Sequence, residues 1–174
     1  MGSQIKILHL ITGLGCGGAE KMIYNLCHFS DKKNKKISVF CISNQDYYYS
    51  RLKLISIDTV KLGLKKNPLS ILSGSYIINK YVRKYKIDII HAHLFHGMVM
   101  ACFVKIFNPN IKILWTSHSS DMVTVLRSFI TYIFRFLRNH DVILQKNLLK
   151  WYNTSNYSVI PNGINVTPKL RSVD

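Results

Sequence analysis

The sequence is short of acid: eight Asp and Glu stand against 24 Lys and Arg, a formal charge of +16, and Glu20 is the only glutamate. Chemistry that needs two carboxylates at one centre therefore has little to draw on, which argues against a self-contained hydrolase of that kind. The four cysteines, Cys16, Cys27, Cys41 and Cys102, form no C-x-x-C pair. That spacing points to reduced thiols in a cytosolic protein rather than to a disulfide framework. No uncharged apolar run reaches the length of a membrane span. No secretory leader is expected either, because the first apolar stretch is short, carries Lys6 and runs into glycines. What remains is 174 residues at 48% hydrophobic and 18% charged, enough for one globular domain with a real core. The positive excess suits membrane lipids, phosphorylated ligands or nucleic acid, although a general richness in Lys, Ile and Asn accounts for it equally well.

The first thirty residues carry most of the information. Ile5 to Thr12 is an apolar, β-branched run suited to a strand buried on both faces. Gly13-Leu14-Gly15-Cys16-Gly17-Gly18 follows, and from Ala19 apolar residues recur at helical spacing. A glycine turn between strand and helix points backbone N–H groups at the positive helix end, where an anion can approach because no Cβ intervenes. Gly13, Gly15 and Gly18 also satisfy the G-x-G-x-x-G of dinucleotide folds. An NAD-dependent oxidoreductase would further need an acidic residue closing the second strand. Here Ile37 to Ile42 closes on Ser43-Asn44-Gln45, and Asp46 arrives late. A tight turn that binds nothing is the plain alternative.

Strand-like and helix-like runs then alternate, the pattern of an α/β, doubly wound parallel sheet of about six or seven strands. Strands are expected at 58–62, 87–91, 111–116, 141–144 and 158–160, and helices at 46–54, 69–85, 94–107, 122–138 and 147–152. His91, His93 and His96 gather at the end of the fourth strand. They could hold a metal, but His96 follows the turn and no completing Asp, Glu or Cys lies near except Asp88, so no metal site is expected. His118 directly follows the fifth strand, where switch-point ligands bind. On a wheel of about 100° per residue, Thr124, Arg127, Ser128, Thr131, Arg135 and Arg138 share one arc of the 122–138 helix. The rest of that wheel, including Phe129 and Phe136, is apolar over roughly 200°, wider than a core-facing stripe requires. Such a helix suits an anionic membrane surface, contacted through Arg127, Phe129, Arg135, Phe136 and Arg138, or burial against another domain.

The Gly-Gly-Ala-Glu of Gly17 to Glu20 after a first strand resembles the N-terminal domain of family 4-type glycosyltransferases, which have the two-domain GT-B architecture. Asp88-Ile-Ile-His91-Ala-His93, Thr116-Ser117-His118 and Val159-Ile-Pro-Asn-Gly-Ile164 are similar to further family stretches, in order and spacing. The resemblance implies a Rossmann-like acceptor-side domain over 1–166, the N-terminal half of a GT-B fold, with 167–174 a tail or the start of a link to a C-terminal domain. It implies a retaining transferase that moves a sugar from a nucleotide diphosphate sugar, with no cofactor, onto a glycan or lipid-linked acceptor in surface polysaccharide or glycolipid synthesis. Gly17, Gly18 and Glu20 would meet the donor diphosphate, His93 and His96 the acceptor, and His118 would be the catalytic-site histidine that positions both. The leaving diphosphate would take the acceptor proton. This sequence has Gln145-Lys146-Asn147 where the family usually opens a helix with serine, so that contact is not carried over. The expected setting is cytoplasmic, peripheral to the inner face of the cell membrane, and inactive without a C-terminal half from the same or a partner chain. A nucleic-acid or other polyanion binding module is the alternative class, but no nucleic-acid motif appears and nucleic acid is not expected as a partner.

Overall fold

A computed structural model describes residues 4–65, 67–118, 124–161 and 163. Among these residues seven strands form one sheet: β1 (Ile5–Ile11), β2 (Lys35–Cys41), β3 (Asp58–Lys61), β4 (Ile89–His93), β5 (Lys112–Ser117), β6 (His140–Ile143) and β7 (Tyr157–Val159). Their order is β3-β2-β1-β4-β5-β6-β7 and every neighbouring pair is parallel. The helices are α1 (Gly18–Phe29), α2 (Tyr47–Leu54), α3 (Pro68–Tyr85), α4 (Leu94–Phe107) and α5 (Val125–Ile133). The doubly wound reading holds, and the direction in which successive strands are added reverses at the β1/β4 pair.

Alternation along the strands sorts the two faces. Leu8, Leu10, Ile90, Ala92, Ile113 and Trp115 pack against Ile78 and Val82 of α3 and Met98 to Val104 of α4. Ile11, Val39 and Cys41 face the other way, onto Ile23 and Cys27 of α1 and Leu52 of α2. Local signals set the helix ends. Asn67 caps α3 by accepting from Ser70 N at 2.8 Å, Pro68 sits in its first turn, and Lys86 ends it in the left-handed region at φ 54°. β4 passes into α4 without a loop: His93 is the helix cap and Leu94 takes φ 62°, which a non-glycine residue rarely adopts. Trp115 Nε1 donates to the Leu94 carbonyl at 3.3 Å and helps hold that joint. A Cβ on Gly97 would come 2.7 Å from the Leu10 carbonyl, so glycine lets α4 lie directly on β1.

The 122–138 helix departs from expectation. Residues 122 and 123 lie outside the described residues, α5 ends at Ile133, and a 3₁₀ turn, Phe134–Leu137, follows. Arg138 is extended and 5% exposed, which removes it from any membrane-facing set. Its guanidinium forks onto Asp141 at 2.8 and 3.0 Å, donates to the Thr131 and Tyr152 carbonyls, and lies over the Trp115 ring. Asp141 also accepts from Asn153 Nδ2 and Thr154 N, both at 3.0 Å. The buried pair is thus fully bonded, and it draws the polar side of α5 inward. Arg138→Met leaves the Asp141 carboxylate buried with only its amide donors and should cost about 3–5 kcal/mol in urea unfolding. Replacing both partners by apolar residues of similar volume should cost less than either single change; equal or greater loss in the double variant would contradict a pairwise origin.

Candidate functional site

The glycine turn enters α1 at Gly17, an extended cap without a side-chain bond. The first helical bond runs from Lys21 N to the Gly17 carbonyl at 3.1 Å, so the preceding N–H groups open toward the strand edge. The glycines differ in kind. A Cβ on Gly13 would run into the Gln45 amide, and one on Gly17 into the Glu20 carboxylate. A Cβ on Gly18 would meet no heavy atom within 4 Å. Glu20 sits in the first turn of α1, where an acidic group complements the helix dipole. Asp46 pairs with Lys61 at 2.5 Å and stands largely exposed at the start of α2. It does not close β2 as a ribose-binding acid would.

Beside this turn the sheet gathers histidines across the switch point. Register places His9 of β1 opposite His91 of β4, and His93 opposite Thr116 of β5. With His118 two residues beyond Thr116, all these side chains stand on one face. His9 Nδ1 and His93 Nε2 are 3.0 Å apart, His93 Nδ1 and His118 Nε2 3.1 Å apart, and His91 Nε2 lies 2.8 Å from Thr116 Oγ1. The His91 and His93 ring centroids are 4.1 Å apart. Burial pushes His9 and His118 down to about 4, and burial with neighbouring histidines holds His91 and His93 well below their ordinary value. These rings are neutral at pH 7, weak as bases but able to donate and accept.

The expected site residues are therefore partly redistributed. His118 and His93 meet directly, but His93 has no exposed surface and cannot itself touch an acceptor. His96 lies half-buried in the first turn of α4, edge-on to Phe95. Among the described residues, the histidines that could share a metal are His9, His91 and His93, whose ligating atoms lie within 4.8 Å of one another; His96 is not in that set. His9 was missed, although a lone histidine in an otherwise apolar strand near its C-terminal end was a readable signal. A hollow of about 630 Å³ lies at the opposite strand edge, beside Arg83, Lys86, Asp88 and Lys112. Arg83 is committed there to Asn108 and the Phe107 carbonyl, and strand polarity places switch-point ligands at the other edge.

The depressed histidines make stability fall with acid. The unfolded chain protonates them near 6.5, whereas folded His9 and His118 resist down to about 4. Their contribution is complete above the unfolded value and is lost as pH drops, by up to roughly 1.4 kcal/mol per pH unit for each group. Urea midpoints should decline from pH 7 toward 4.5, and less steeply in a folded His9→Gln variant. A flat profile would contradict neutral buried rings.

Solved structures share this fold. A glycosyltransferase from Rickettsia africae ESF-5 aligns at TM-score 0.75 and 18% identity, covering 95% of this chain and 47% of that one. The lipopolysaccharide outer core galactosyltransferase WaaB aligns at 0.74 and 16%, covering 94% and 47%. Anabaena Alr3699/HepE, solved with UDP and glucose, aligns at 0.70 and 12%, covering 95% and 47%. The chain thus spans about half the length of these structures. No curated protein gives a significant match. A family model matches residues 16–167, most of the chain: the chain belongs to Glycosyltransferase Family 4.

Proposed function

We propose that this chain is the acceptor-side domain of a retaining glycosyltransferase that moves a sugar from a nucleotide diphosphate sugar onto a glycan or lipid-linked acceptor. The observation that carries the reading is the meeting, at one strand edge, of the open N–H groups of the glycine turn with neutral histidines at the switch point. The diphosphate lies over Gly17 and Gly18, and the N–H groups of the first helical turn stabilise its charge. His118, neutral and held by its neighbour, orients donor and acceptor by hydrogen bonding. The leaving diphosphate takes the acceptor proton, so no carboxylate base is needed from a chain with a single glutamate. A second α/β domain, in the same polypeptide or a partner chain, closes the cleft; the half-length cover of the related structures supports this. The domain boundary near residue 166 lies outside the described residues. By itself the domain does not turn over.

The acceptor class is supported by α5, which turns its apolar side outward. Val125 is 86% exposed, Leu126 66% and Phe136 76%, with Phe129 and Ile133 beside them. Arg127 lies over the Phe95 ring and Arg135 over Tyr132, both half-buried at the margin of that face. Among the described residues no helix is long and apolar enough to cross a bilayer. An interfacial helix with flanking arginines fits an anionic lipid surface and an acceptor presented from it. That contact supports an enzyme working at the inner face of the cell membrane, in surface polysaccharide or glycolipid synthesis.

In the two-domain enzyme, Gly18→Val should fold with stability within about 1 kcal/mol of wild type, because its Cβ meets nothing. Sugar transfer should nevertheless fall at least tenfold; unchanged kinetics in the folded variant would make the turn merely structural. On anionic liposomes, replacing Arg127 and Arg135 together by glutamine should weaken retention about thirtyfold, at about 1 kcal/mol each. Phe129→Ser with Phe136→Ser should weaken it on neutral lipid too. If neither pair alters retention, α5 docks on protein and not on lipid.

A further inference from the structure

His118, His93 and His9 are joined end to end, and the two links use both nitrogens of the middle ring. His118 Nε2 meets His93 Nδ1 at 3.1 Å, and His93 Nε2 meets His9 Nδ1 at 3.0 Å. Each neutral imidazole has one N–H and one lone pair. Both links can be satisfied in only two ways, because a mixed arrangement sets two N–H groups or two lone pairs against each other. Either every ring carries its proton on Nε2, or every ring carries it on Nδ1. With Nε2 of His118 committed to His93, Nδ1 is the nitrogen left for a ligand. In the first arrangement that atom is an acceptor; in the second it is a donor. An isolated histidine side chain in water favours Nε2–H, so the second arrangement must be imposed by neighbours.

We propose that His93 and His9 are positioning residues that lock His118 as the Nδ1–H tautomer, so that it meets a phosphate or sugar oxygen as a hydrogen-bond donor. The direction of the chain follows from the ligand: a diphosphate offers lone pairs and no proton at neutral pH. His9 Nδ1–H donates to His93 Nε2, His93 Nδ1–H donates to His118 Nε2, and His118 Nδ1–H points to the ligand. Two features fix the middle ring. His93 is fully buried, and its backbone is the cap of α4, where the positive helix end disfavours an imidazolium. Burial of His9 keeps the far end neutral as well. No bond breaks in this step; the chain selects a tautomer and holds a ring plane. The direction rests on the glycosyltransferase reading above, but the lock is measurable without substrate.

Imidazole nitrogen shifts of the ¹⁵N-labelled chain at pH 7.5, read by long-range proton–nitrogen spectra, test it. His118 and His93 are expected as Nδ1–H tautomers in the wild type. His93→Phe, with backbone amide shifts showing a retained fold, should release His118 to mainly Nε2–H. His93→Asn, whose amide N–H can replace the ring donor, should keep it as Nδ1–H. Should His93→Phe fail to fold, the wild-type spectrum alone decides. Nε2–H on His118 in the wild type, or no change in folded His93→Phe, overturns the proposal. Stoichiometric binding of zinc ion that His9→Gln abolishes also overturns it, making the cluster a metal site. If the tautomers are as stated but His118→Ala leaves transfer unchanged in the two-domain enzyme, the lock stands and the functional reading of His118 fails.

Discussion

The pairing of β1 with β4 is the contact on which the rest of the molecule turns. It is the point where the chain reverses its direction of travel across the sheet. It brings the glycine turn after β1 beside the strand–helix joint after β4, and it sets His9 against His91. Gly97 keeps α4 close enough to β1 to fix that spacing, since any side chain there would strike the Leu10 carbonyl. The site is therefore a property of sheet register more than of any single loop. A one-residue slip between the strands would send the histidines to the face packed against α3 and α4 and dissolve the cluster.

Charge and its avoidance explain the character of that edge. The strand starts are basic, with Lys6, Lys35, Lys36 and Lys112 at the first positions of β1, β2 and β5 and Lys86 just before β4. The strand ends instead hold neutral rings that burial prevents from charging. The buried ion pair follows a different rule. Arg138 and Asp141 remain charged because the fork geometry, two backbone carbonyls and two amide donors satisfy nearly every polar position they own. Such a network specifies where α5 must stop and which of its sides faces inward.

The sheet, the first four helices and the glycine turn between β1 and α1 were legible because they rest on period and on glycine placement, which are local. Helical spacing announced α3 to within one residue of its start, and the apolar runs announced each strand. What was not legible is what depends on a partner far along the chain. The helical wheel put Arg138 with the other arginines, but its guanidinium is claimed by Asp141 and by carbonyls of Thr131 and Tyr152. His93 reads as a cleft residue by position, yet contact with His9, 84 residues away, makes it an interior link. For His9 the signal of a histidine late in an apolar strand was there, but the register that pairs it with His91 and His93 was not.

The central claim is that ligand phosphates bind at the C-terminal edge of the sheet, between the glycine turn and His118. Its most direct test is a crystal structure of the two-domain enzyme with an unreactive nucleotide diphosphate sugar. Density for the diphosphate should lie within hydrogen-bond reach of the Gly18 N–H, with His118 Nδ1 facing a phosphate or sugar oxygen. A ligand bound instead in the hollow beside Arg83, Lys86 and Lys112, or a glycine turn that contacts no part of it, would contradict the claim.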